Sequence, residues 1–339
     1  MTHTAFPHQH TAHCESGVMS TLLRYHGLDW DEPMVFGMAA ALSFAYIPVV
    51  KLSGMPLIAY RTPPKTIIRR TCRQLDVQLT MQRFRSPSAG MAALDAALQA
   101  GKVVGLQTSV FWLPYFPSDM RFHFNAHNLL VYGKEGNEYL ISDPVFEHVQ
   151  RCAAADLQNA RFAKGALAAK GLMYTLDHLP NIDQIHAKMP HMIRYAVRQT
   201  ARQMRAPLFF VGTRGIHTLA NKIAALAHTR LSEQEKALYL GHIVRMQEEI
   251  GTGGAGFRYL YAYFLEQASD HLHDHTLAQA AQTLTNIGDE WRQFAVQCVR
   301  QCRKPQPQAY ATVADALHQL AEREAALWHT LNQWVKESA

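Results

Sequence analysis

His13-Cys14-Glu15-Ser16-Gly17 places a cysteine at the entrance of an amphipathic helix. The helix reads Gly17-Val18-Met19-Ser20-Thr21-Leu22-Leu23-Arg24-Tyr25-His26, with Val18, Met19, Leu22, Leu23 and His26 at helical spacing, and Gly27 closes it. Unpaired N–H groups and the positive dipole end of a helix N-terminus favour thiolate over thiol, lowering the pKa from a free value of about 8.5. The same N–H groups can hold the oxyanion of an acyl intermediate. A lone cysteine is by default a small buried hydrophobe, so a nucleophile needs partners elsewhere in the chain.

A catalytic thiol requires a base and, usually, an acceptor that orients the base. His127 immediately precedes the strand Asn128-Leu129-Leu130-Val131-Tyr132, and Asp143 ends the following strand, Glu138–Asp143, just before Pro144. A hairpin through the Lys134-Glu135-Gly136-Asn137 turn brings 127 opposite 143, at one end of the pair. There an aspartate carboxylate can hold an imidazole. His123, in Arg121-Phe122-His123-Phe124, is the rival base but lies outside this register. Gln9, five residues before Cys14, is the candidate for a side-chain oxyanion donor beside the Cys14 N–H. Tyr115 is a further positioning candidate, and Glu15 and Ser16 suit the role of helix-start residues.

With 339 residues, 48% of them hydrophobic and 18% charged, the chain can bury a sizeable core in two domains. No apolar run approaches the roughly 18 residues a membrane span needs, and no leader pattern opens the chain, so a cytoplasmic protein is expected. The five cysteines, Cys14, Cys72, Cys152, Cys298 and Cys302, are odd in number and scattered, which argues for a reducing compartment. Cys298 and Cys302 are expected to serve helix packing. The net charge of +6 and pI near 9.0 suit a weak encounter with an acidic carrier protein. No basic run interleaves with aromatics, so nucleic acid is set aside. His3, His8, His10 and His13 form no metal-ligand spacing, so neither a resident metal nor a bound cofactor is expected.

The period divides the chain. Met34–Leu42 reads as an apolar helix, Phe44–Tyr60 as irregular strand, and helices follow Pro63-Pro64 and span Met91–Leu98. From Val103 the pattern becomes strand-like, giving a small antiparallel sheet. Beyond about Leu176 only amphipathic helices follow, among them one opened by a Ser232-x-x-Glu235 capping box. The expected domains are therefore residues 1–178, an α+β unit with its cysteine on the leading helix, and residues 185–339, all-helical. Apolar faces on several of these helices would permit a homodimer. Gly251-Thr252-Gly253-Gly254-Ala255-Gly256, leading into Phe257-Arg258, reads on its residues alone as a tight interhelical turn, because it follows a helix and lacks a Walker lysine.

His13-Cys14-Glu15-Ser16-Gly17, Asp31-Glu32-Pro33-x-Val35-Phe36-Gly37, Trp112-Leu113-Pro114-Tyr115, His123-Phe124-x-x-His127 and Ile141-Ser142-Asp143-Pro144 together resemble the N-terminal domain of the butirosin-biosynthesis BtrH family. The glycine-rich stretch with Tyr261-x-x-Phe264-Leu265-Glu266 resembles the helical domain that accompanies it. The resemblance implies a papain-like cysteine-peptidase fold put to acyl transfer in specialised-metabolite biosynthesis, from the phosphopantetheine thioester of an acyl carrier protein, or from CoA, to a small-molecule amine or hydroxyl. It implies Cys14 as the acyl-accepting nucleophile, His127 as the base and Asp143 as its orienter. Gln107-Thr108-Ser109 stands where the family usually carries an acidic residue. The resemblance also makes Gly253, Gly254 and Arg258 candidates for holding the donor's phosphate. The competing expectations are a cysteine hydrolase (peptidase, amidase or thioesterase) with the same three residues, and a non-catalytic binding protein that keeps the fold.

Overall fold

The computed structural model describes residues 6–52 and 54–337, which divide into two units. The first takes in the described residues up to Val35 together with Ile67–His186; the second takes in Phe36–Thr66 and the described residues from Ala187 onward.

In chain order the first half carries α1 (Cys14–Tyr25), α2 (Glu32–Met38), β1 (Leu42–Leu52), β2 (Met55–Arg61), α3 (Thr66–Leu75), β3 (Leu79–Gln82), α4 (Pro87–Gln99), β4 (Val104–Thr108), β5 (His127–Glu135), β6 (Glu138–Ser142), β7 (Gln150–Ala153), α5 (Ala154–Phe162) and β8 (Met173–Leu176). In the first unit, β3-β8-β4-β5-β6-β7 form one sheet, antiparallel throughout. Val104, Leu106, Leu129 and Val131 belong to a single core cluster with Leu94 of α4 and Leu157 of α5. Because side chains alternate across a strand, Gly105, Asn128 and Leu130 face the other way, toward the side on which α1 packs against β5. Gly105 has a specific reason to be glycine. A Cβ there would stand 2.1 Å from the Tyr174 ring, which lies across the strand at this point.

The β5–β6 turn is tighter than the sequence pattern predicts. Glu135 pairs with Glu138 around Gly136-Asn137, and Leu130 pairs with Ser142, two residues off the expected register, with an irregularity between Val131 and Gly133. The irregularity confines the shift of two to the end of the hairpin away from the turn, where a shift of two keeps side chains on their expected faces, so His127 and Asp143 still share the same end.

The second unit contains the β1–β2 hairpin and α6 (Ile182–Met204, most of it), α7 (Gly212–Ala225), α8 (Glu233–Val244), α9 (Arg258–Leu272), α10 (His275–Arg303) and α11 (Ala309–Glu337). The Ser232–Glu235 capping box opens α8, with both reciprocal bonds present. The expected apolar helix over Met34–Leu42 stops at Met38; Ala40 takes φ +47° and the chain turns into β1. An all-apolar run fits a buried strand as well as a buried helix, so periodicity alone does not separate them. The sequence pattern puts one domain cut between 178 and 185. The structure puts it at 186/187 and groups Phe36–Thr66 with the later helices, where Tyr46 N–H donates to Phe210 O at 2.9 Å. Among the described residues no helix is long and apolar enough to cross a membrane.

Candidate active site

Cys14 is the first residue of α1, three positions earlier than the sequence pattern starts the helix. His13 is the N-cap, and its Nδ1 accepts the Ser16 N–H at 3.3 Å. The turn before the cysteine is held by Glu32, whose carboxylate accepts the N–H groups of Ala12 and His13, each at 2.8 Å, and the Ser16 hydroxyl at 2.9 Å. Burial pushes the Glu32 carboxyl up to about 7, against these donors, which favour its ionised form. Glu15, fully buried, has a longer reach than a helix-start residue needs: its Oε1 accepts the N–H groups of Ile67 and Ile68 at the start of α3, at 3.0 and 3.4 Å. Removing Glu32 should loosen the cysteine's turn. Glu32→Ala leaves the Ala12 and His13 N–H groups without their acceptor, while the Ser16 hydroxyl keeps His13 Nδ1 at 2.8 Å, and at about 1–3 kcal/mol for an orphaned buried group a loss of about 2–4 kcal/mol is expected in urea unfolding. Glu32→Gln keeps an acceptor oxygen and should lose visibly less.

Cys14 is partly exposed, and its N–H makes no hydrogen bond among the described residues. The other thiols are shielded: burial pushes Cys72 and Cys152 up to about 12 and raises Cys298 and Cys302 as well. Cys302 Sγ contacts Ala237 O at 3.4 Å, a packing contact between α10 and α8.

His127 is buried at the start of β5, with its Nε2–H donating to Asp143 Oδ2 at 2.7 Å. Cys14 lies close enough to the imidazole to act on its charge, and with Nε2 occupied by Asp143, Nδ1 is the nitrogen left for the thiol. Desolvation lowers the imidazole pKa, but the charge and hydrogen bond of Asp143, together with Cys14, outweigh it and raise His127 to about 10. Asp143 is fully buried and accepts from His127, from the Tyr115 hydroxyl at 2.9 Å and from Val145 N–H at 3.1 Å. The Phe116 ring meets the His127 ring edge-on, with centroids 5.4 Å apart.

The sequence candidates are distributed unevenly around this centre. Tyr115 stands against Asp143, which is what a positioning residue requires. His123 is exposed and stacks on Phe111 with ring centroids 4.1 Å apart, away from the carboxylate. Gln9 is exposed and makes no hydrogen bond among the described residues. The side-chain amide near the thiol is that of Asn128, buried, with Nδ2 at 4.0 Å from Cys14 Sγ. His8 fastens the N-terminal segment to the same end of the sheet, accepting from the Ser142 hydroxyl at 2.8 Å and donating to Phe146 O at 3.0 Å. His3 lies outside the described residues. Among those residues no group of three His, Cys, Asp or Glu side chains is placed to hold a metal ion.

The glycine-rich stretch, in the second unit, does not have the form of a phosphate cradle. Arg258 is fully buried; its Nε and Nη2 each lie 2.9 Å from Glu324 Oε1, and its guanidinium sits 4.6 Å over the Trp291 ring. Its charge is already neutralised by a desolvated carboxylate. The Ala255 N–H donates to the Glu248 carboxylate at 3.1 Å, and Gly254 N–H to the Thr252 hydroxyl at 3.1 Å, so internal acceptors hold the amides a phosphate would use. Gly253 and Gly254, at φ +68° and +88°, serve the left-handed turn between α8 and α9. This corrects the phosphate-holding role expected for Gly253, Gly254 and Arg258.

Fold and site define a class: an α+β unit that sets a cysteine at a helix N-terminus against a histidine–aspartate pair. The chain belongs to the family of Domain of unknown function (DUF4872), whose model matches residues 155–331, and residues 13–144 match the family model for Butirosin biosynthesis protein H, N-terminal. No curated protein matches the chain. Among solved structures, one described as a C39-like peptidase from Bacillus anthracis is similar at 12% identity and a TM-score of 0.35, over 52% of this chain and 96% of that one.

Proposed function

We propose that the protein is a cysteine-dependent acyltransferase that takes an acyl group from a carrier-protein or CoA thioester through a Cys14 acyl-enzyme to an amine or hydroxyl. The observation that carries this reading is the His127–Asp143 bond of 2.7 Å beside a partly exposed thiol on the first residue of α1. The family's butirosin-biosynthesis description supports a biosynthetic role over peptide cleavage.

In the reaction, His127 Nδ1 takes the Cys14 proton and Sγ attacks the thioester carbonyl carbon. The tetrahedral intermediate collapses with cleavage of the donor C–S bond, and the leaving sulfur receives the proton from His127. An acceptor amine or hydroxyl then attacks the acyl carbon, gives its proton to His127, and expels Cys14 Sγ, which His127 reprotonates. Thiolate-for-thiolate exchange is nearly isoenergetic, so the second step controls the outcome.

Intact-protein mass, measured after mixing with acyl-CoA and acyl-carrier thioesters, should show an adduct of the acyl mass that disappears in Cys14→Ala. Absence of an adduct from every thioester, with Cys14 alkylated by iodoacetamide no faster than Cys72 or Cys152, would point to a binding protein instead. Discharge of the adduct by water as readily as by candidate amines would make the protein a hydrolase.

A further inference from the structure

Asn128 is held in one orientation by its neighbours. Its Oδ1 accepts from the Tyr174 hydroxyl at 3.2 Å, and its Nδ2 donates to Ala126 O at 3.2 Å, so the amide cannot flip without losing both bonds. The second Nδ2 hydrogen is left for the Cys14 side, where Sγ lies 4.0 Å away. That separation is long for a bond to sulfur yet suits an atom attached one bond further on. When Sγ adds to a carbonyl carbon, the new oxyanion sits on that carbon, short of 3 Å from the sulfur. A donor 4.0 Å from Sγ can therefore stand at the 2.7–3.1 Å that oxyanion stabilisation requires. The free N–H of Cys14 supplies a partner donor on the helix side.

The arrangement has an origin in the sequence. Gly105 leaves room for the Tyr174 ring to cross β4, with its phenol directed at Asn128; a side chain at 105 would occupy the ring's place. The Tyr174 hydroxyl is kept a neutral donor by burial, with Glu15 and Cys14 acting in the same direction.

We infer that Asn128 is a catalytic oxyanion donor, paired with the Cys14 backbone N–H and aimed by Tyr174 as a positioning residue. This rests on the acyl-enzyme reading of Cys14. In the step concerned, the Sγ electron pair forms the S–C bond, the carbonyl π pair moves onto oxygen, and Asn128 Nδ2–H and Cys14 N–H bond that oxygen until the leaving group departs. No proton is transferred by the amide.

The test compares two reactions of Cys14 in the full-length protein. Alkylation by iodoacetamide passes through no oxyanion, whereas acylation by p-nitrophenyl acetate does. Asn128→Ala should slow acylation by about 10²–10³-fold while leaving the alkylation rate within about threefold. Tyr174→Phe, which keeps the amide, should show the same split at about tenfold, and it carries the test if Asn128→Ala does not fold. Equal loss in both reactions would make Asn128 a thiolate contact or a structural residue, and unchanged acylation would remove it from the mechanism; either overturns the assignment. It is also overturned if p-nitrophenyl acetate acylates the wild type no faster than free cysteine. Rapid acylation by this ester with no adduct from any CoA or carrier thioester would reject the transferase reading alone.

Discussion

Replacing His127 by alanine is expected to slow Cys14 acylation by about 10²–10⁴-fold, the range that a positioned general base contributes. The loss should extend to alkylation near neutral pH, because the imidazole holds the proton that the thiol gives up. Stopped-flow acylation together with iodoacetamide rates will check this, and retention of both rates would exclude His127 from the site. Asp143→Asn should reproduce most of the effect: the amide removes the charge that raises His127 and presents the wrong donor to Nε2. A pH signature accompanies it. His127 is raised from 6.5 to about 10 in the folded protein, so the stability it contributes is full below about pH 6.5 and is lost as pH rises toward 10. In urea unfolding, the stability gap between wild type and Asp143→Asn should be widest near pH 6 and narrow steadily toward pH 10. A gap independent of pH would contradict the assigned ion pair.

The largest effect on stability is expected in the second unit. Glu324 is fully buried and accepts from Arg258 Nε and from the indole N–H groups of Trp291 at 2.7 Å and Trp328 at 3.2 Å. Glu324→Ala leaves an unpaired guanidinium in the interior, where breaking a buried pair costs about 3–5 kcal/mol. Since whole domains are stable by only about 5–15 kcal/mol, urea unfolding should shift to much lower denaturant. Arg258→Met in the same background should recover a large part, because the orphaned charge is gone and apolar volume fills its place. A single variant with wild-type stability would show that the pair is not sealed from water.

How much of this could be read along the chain depended on how local the determining interactions are. The helix that follows Cys14, the β5–β6 hairpin and the Ser232 capping box each follow from residues within a few positions of one another. His127 and Asp143 come together because hairpin pairing is nearly local, and a register error of two preserves the face. Asn128 stands next to His127 in the sequence, yet nothing in its neighbourhood sets it apart from any strand residue. Its orientation comes from Tyr174, 46 positions away. Glu32 reads locally as an acidic helix start, and only the folded turn shows it bonding Ala12 and His13. The glycine-rich stretch misleads for the opposite reason: its composition fits an anion cradle, and the carboxylates that pre-empt the role, Glu248 and Glu324, are supplied by folding.

By itself the sequence determined the α+β-then-helical order, the thiol at the start of a helix and the hairpin that carries its histidine and aspartate. Periodicity, turn residues and capping act over single elements, and those elements keep their identity wherever they pack. The tertiary structure alone decided that the amide beside Cys14 belongs to Asn128 and not Gln9, that Glu32 braces the cysteine's turn, that Arg258 is sealed in an ion pair, and that Phe36–Thr66 joins the later helices. Each of these depends on which distant groups share a buried, low-dielectric volume, where the pairing of charges and donors is set by three-dimensional proximity and not by spacing along the chain.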